Sequence, residues 1–69
     1  MRDVKTAVAK NIAKYRIKSN MTQLELAQKI NYSDKAVSKW ERGESLPDIT
    51  ALCEISDIFG IPIDALVNE

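Results

Sequence analysis

Residues 23–42 contain two short segments of helical apolar spacing separated only by Asn31-Tyr32-Ser33, and this spacing limits the possible folds more than any other feature of the chain. Leu26, Ala27 and Ile30 form the stripe before the gap, and Ala36, Val37 and Trp40 form the one after it. Each segment predicts a helix of about eight residues. Asn31 tolerates the left-handed backbone that stops the first, and Ser33 is a natural cap for the second, expected over Asp34–Arg42. Ala27 has to be small, because two helices crossing steeply after so short a turn bring their backbones together there.

The remaining punctuation divides the rest of the chain into helices as well. Val4, Val8, Ile12 and Tyr15 recur at spacings of three and four, predicting a helix over Val4–Lys18 with Lys5, Lys10, Lys14 and Lys18 off its apolar stripe. It should end near Ser19-Asn20. Thr22-Gln23-Leu24-Glu25 reads as a capping box, opening the next helix at Thr22. Gly43 stops the third helix. Asp48 caps a fourth, running to Phe59, on which Ile49, Leu52, Cys53, Ile55, Ser56 and Phe59 make a broad apolar face, with Cys53 expected as a buried thiol. Gly60 ends it, and Pro62–Val67 forms a last short helix. The expected fold is all-α, a compact five-helix bundle.

Sixty-nine residues allow one domain, here residues 1–69, and bury only about 60% of the unfolded surface, leaving no room for a core and a deep cleft together. With no histidine and a single cysteine, a structural zinc site is not expected and no internal disulfide can form. No paired carboxylate site or phosphate-cradling glycine loop is present, so the chain does not read as an enzyme. No apolar run reaches the roughly 20 residues that cross a bilayer. Formal net charge is zero, but the charges are segregated. Residues 1–42 carry ten Lys and Arg against four acids, a net of +6, and residues 43–69 carry six acids and no base, a net of −6. Such a split suggests one face turned toward a polyanion and one turned away.

Burial of Val37 and Trp40 would leave the opposite side of the third helix bare, with Asp34, Lys35, Ser38, Lys39 and Arg42 outward and shaped to enter a major groove. Thr22-Gln23-Leu24-Glu25-Leu26-Ala27, followed by Val37-Ser38-Lys39-Trp40-Glu41-Arg42-Gly43 and Leu46-Pro47-Asp48, resembles the phage-repressor and Cro family of helix-turn-helix regulators, also called the xenobiotic-response-element type. The resemblance spans about residues 8–67, including Gly60-Ile61-Pro62-Ile63-Asp64-Ala65-Leu66. It implies a lambda-repressor-like bundle and a sequence-specific regulator of transcription, a repressor acting as a homodimer on a two-fold operator in double-stranded DNA.

The same resemblance implies roles for matching positions. Gln23 stands where the family clamps a backbone phosphate, in keeping with the affinity of helix N-termini for anions. Asp34, Lys35, Ser38 and Lys39 fall where relatives touch base edges, and Ser33 beside them joins the contact surface. Asp34 either accepts from cytosine N4 or only complements the helix dipole. Arg42 should reach phosphate, and Tyr32 is either core with an exposed hydroxyl or a further phosphate contact. Arg16 and Glu41 match a structural ion pair fixing the third helix. The last helices, residues 58–67, are the candidate dimer contact through Ile58, Ile61, Ile63, Leu66 and Val67. Asn31 replaces the usual turn glycine, and Ile17 and Leu24 are apolar where charge is more usual, so one or both should be exposed. No cofactor, small molecule or membrane partner is expected, and the implied location is cytoplasmic, on the nucleoid when bound. A protein-interaction module, such as an antitoxin or adaptor, is the alternative; a steep salt dependence of binding separates the two.

Overall fold

The computed structural model describes residues 3–68. Five helices follow one another: α1 Val4–Lys18, α2 Gln23–Ile30, α3 Asp34–Glu41, α4 Ile49–Phe59 and α5 Ile63–Val67, with no strand among the described residues. Side-chain caps start four of them. The Asp3 carboxylate accepts from the Thr6 N–H, Ser33 from Ala36 and Asp48 from Ala51. At α2 both halves of the capping box form: Thr22 Oγ1 accepts from the Glu25 N–H at 3.0 Å, and the Thr22 N–H donates to Glu25 Oε1 at 2.8 Å. Thr22 is thus the cap of α2 and Gln23 its first residue.

The first four helices close with a residue in the left-handed region: Asn20, Asn31, Gly43 and Gly60, with φ between 58° and 73°. After each, the next N–H reaches back to a carbonyl of the last turn, as from Tyr32 to Ala27 at 2.9 Å and from Glu44 to Lys39 at 3.0 Å. The two asparagines adopt positive φ at the least expense among residues with a side chain.

Val8 and Ile12 of α1, Leu26, Ala27 and Ile30 of α2, Val37 and Trp40 of α3, Ala51, Leu52 and Ile55 of α4 and Leu66 of α5 form one core. Helix α1 packs against both α3 and α5, and α2 packs against α3. Ala27 is wholly buried at that crossing. The Tyr32 ring lies edge-on to Trp40, centroids 5.3 Å apart, and Tyr15 stacks on Phe59 at 5.9 Å. One buried polar side chain ties the ends of the chain together. Asn11 Nδ2 donates to the carbonyls of Leu66 at 2.9 Å and Asn68 at 2.7 Å, so the end of α5 is held on α1.

Two expectations for α4 are corrected. Cys53 is exposed, not buried, and Ile49 lies 71% exposed, outside the apolar face assigned to it. The buried residues are Ala51, Leu52, Ile55 and Ser56. Thr50, Glu54 and Asp57 form a polar stripe, and the apolar arc that fills the rest of α4 is wider than the core can cover, so periodicity alone does not say which of its edges stays in solvent. Ile49 and Cys53, one turn apart, share one edge of the apolar arc. Of the apolar residues named in 58–67, Leu66 is wholly buried, and Ile58, Ile61 and Val67 pack partly buried against the core. The large apolar side chains most open to solvent are Ile17, Leu24, Leu46 and Ile49, all outside that region.

Candidate nucleic-acid interface

Helix α3 is amphipathic in the sense its sequence requires. Val37 and Trp40 are buried, Asp34, Lys35, Lys39 and Arg42 are exposed, and Ser38 is half-buried between them. These polar positions stand at i, i+1, i+4, i+5 and i+8, a single helical face. Among the described residues no carboxylate stands within ion-pair distance of Lys35 or Lys39, and Glu44 is the acid near enough for Lys39 to help hold its carboxyl below the ordinary value. Ser33 is exposed at the start of the helix, its Oγ occupied with the Ala36 N–H at 3.1 Å.

Arg42 is not open in the same way. Its Nε donates to Glu44 Oε2 at 2.5 Å, Nη2 lies 3.4 Å from Glu44 Oε1, and Nη1 donates to Ser38 Oγ. That hydrogen bond to Glu44 raises the affinity of the guanidinium for its proton and holds the Glu44 carboxyl below its ordinary value. Both partners are about half exposed, so the pair is weak and readily exchanged. The sequence signals this Glu44 contact only by an acid two residues beyond Arg42.

Gln23, the first residue of α2, is half-buried, and its Nε2 donates to Glu41 Oε1 at 3.1 Å. The same carboxylate takes a two-pronged contact from Arg16: Nε to Oε2 at 2.6 Å and Nη2 to Oε1 at 3.0 Å. Arg16 Nη1 also donates to the Met21 carbonyl at 2.8 Å. The fork with Glu41 strengthens the protonated guanidinium. The Glu41 carboxylate at the end of α3 thus joins α1 to the N-terminus of α2, and Arg16 adds the turn before α2. Tyr32 faces the other way: its hydroxyl donates to both carboxylate oxygens of Asp48, each at 3.0 Å, which holds the phenol above its ordinary value.

A rod with one cationic face, set on a short helix by a tight turn, is the arrangement that places side chains in a major groove. The helix-turn-helix family matches residues 12–66 of the chain, which contain α2, the turn, α3 and α4 whole. The chain belongs to the Cro/C1-type helix-turn-helix family.

Regulators of this helix-turn-helix family are among the proteins it resembles. The transcriptional activator BcrR of Enterococcus faecalis is 41% identical over 49 residues, 71% of this chain and 24% of that protein. The cryptic phage CTXphi transcriptional repressor RstR of Vibrio cholerae is 36% identical over 62 residues, 90% of this chain and 55% of that protein. The chain therefore spans about half or less of the length of these curated relatives. The solution structure of a LexA SOS-response transcriptional repressor from Eubacterium rectale superposes with a TM-score of 0.90 at 28% identity, over 100% of this chain and 74% of that one. Among the described residues of this helix-turn-helix chain no helix is long and apolar enough to cross a membrane, and no three acidic, histidine or cysteine side chains converge as a metal site needs.

Proposed function

We propose that the chain binds double-stranded DNA sequence-specifically and regulates transcription from its target site, as a repressor bound in two copies to a two-fold operator. The observation that carries this reading is the bare cationic face of α3, Lys35 and Lys39 exposed while Val37 and Trp40 anchor the other side. Lys35 and Lys39 donate to guanine O6 and N7, and Asp34 accepts from cytosine N4. Ser38 accepts from Arg42 and so offers its own O–H to a base acceptor. Gln23, Ser33 and Arg42, with the N–H groups at the start of α2, position the bundle on phosphates.

One α3 touches too few base pairs for a useful site, and two copies about 34 Å apart read two half-sites on one side of the duplex. The longest dimension of the bundle is 33 Å, so two copies at that spacing can touch if their long axes run along the line that joins the half-sites. The candidate contact, residues 58–67, presents Ile63 half-buried beside the partly covered Ile58, Ile61 and Val67. In this reading the chain is not an enzyme and works in the cytoplasm, at the nucleoid when bound. Selection of bound duplexes from a random pool, repeated at two salt concentrations, tests the reading. It predicts a two-fold motif and binding that falls steeply with salt. Recovery of no motif, together with salt-independent retention, would overturn it.

A further inference from the structure

We infer that Glu41 and Arg16 are positioning residues for Gln23, holding its amide so that one N–H is presented to a DNA phosphate. This rests on the phosphate-contact reading of Gln23 above. A primary amide on a flexible side chain rotates freely and offers either its nitrogen or its oxygen. Glu41 removes that freedom by chemistry alone. A carboxylate only accepts, so the amide must turn Nε2 toward it, as the 3.1 Å contact to Oε1 shows. Nε2 carries two hydrogens. One is held by Glu41, and the second is left for an acceptor, which a phosphate is.

Electrostatics requires the third partner. A lone carboxylate beside the phosphate contact would repel DNA. Arg16 covers Glu41 with its two-pronged fork while keeping only 15% of its own side chain exposed, and Glu41 keeps 9%. The guanidinium therefore neutralises Glu41 from within the bundle without itself reaching the duplex. Because Glu41 is the last residue of α3 and Gln23 the first of α2, the link also fixes the distance from the phosphate anchor to the base-reading face. It lies within the bundle, so it exists before DNA arrives and spares the ordering of a side chain on binding.

Affinity of the 69-residue chain for a selected operator and for an unrelated duplex, at one fixed salt concentration, tests this in a cycle of Gln23→Ala against the double variant Arg16→Met/Glu41→Leu. Gln23→Ala is expected to weaken both duplexes about tenfold, the loss of one charge-assisted hydrogen bond. The double variant should show the same loss, and adding Gln23→Ala to it should change nothing further. Equal tenfold losses in both backgrounds would overturn the inference while leaving the DNA-binding reading intact; failure of the parent to bind any duplex would overturn both. A measurement on the parent chain alone does not depend on the variants folding. Side-chain amide relaxation in NMR should find the Gln23 NH₂ rigid and the exposed Gln28 NH₂ mobile. Equal mobility of the two would refute the positioning role.

Discussion

Cutting the Arg16–Glu41 pair on one side and on both sides should give opposite results. The pair lies at the meeting of α1, α2 and α3, with 15% and 9% of the two side chains exposed. Glu41→Leu leaves the guanidinium with the Met21 carbonyl as its remaining partner, and Arg16→Met leaves the carboxylate with Gln23 alone. Stranding one buried charge costs about 3–5 kcal/mol. Some solvent reaches this site and screens it, so about 3 kcal/mol, the low end of that range, applies to each single variant. A domain of this length has a total stability of about 3–10 kcal/mol at ordinary values per residue. Each single change therefore removes about 30% or more of it and lowers Tm by roughly 12–24 °C. In Arg16→Met/Glu41→Leu both charges are gone and two apolar side chains of similar volume fill the space, which is commonly neutral or stabilising. Its stability should fall within about 1 kcal/mol of the parent. Urea unfolding followed by circular dichroism at 222 nm, with unchanged m-values, gives the four free energies of the cycle. Two single losses that simply add in the double variant would refute the reasoning, because they would mean that neither charge depends on the other.

Other expected outcomes follow from single contacts. Lys39→Ala should weaken the preferred duplex by about 1–3 kcal/mol and relax choice at one base position in a repeated selection; an unchanged preferred sequence would remove Lys39 from the reading face. Glu44→Gln should tighten binding to all duplexes and steepen the salt dependence, because Arg42 no longer has to leave a carboxylate to reach phosphate, and the gain should vanish in an Arg42→Ala background. The Tyr32 phenol is held above its ordinary 10.0 by donating to Asp48, so its stabilising contribution is full below pH 10 and fades as pH rises through the raised value. Unfolding free energies measured across that range should fall in the parent and less in Tyr32→Phe. Glu25 is held below its ordinary 4.5, mainly by the Thr22 N–H and then by its hydroxyl, so its contribution is full above that value and is lost as pH falls through the lowered one. Glu25→Gln should flatten that acid limb in the same measurement.

What could be read along the chain was whatever a few neighbouring residues decide. Caps at Thr22, Ser33 and Asp48 and stops at Asn20, Asn31, Gly43 and Gly60 act within one turn of themselves, so the helix limits followed from them to within a residue. The outward face of α3 was legible for the same reason, since Val37 and Trp40 leave its helical period only one side to bury. Helix α4 carries an apolar arc wider than the core covers, and only the shape of the core, by choosing Ala51, Leu52 and Ile55, put Ile49 and Cys53 into solvent. Asn11 finding the carbonyls of Leu66 and Asn68, and Gln23 finding Glu41, join residues 18 to 57 positions apart, and no local pattern signals such meetings. Hydrogen-bond partners at that separation depend on how whole helices cross, which is a property of the packed bundle and of no single segment.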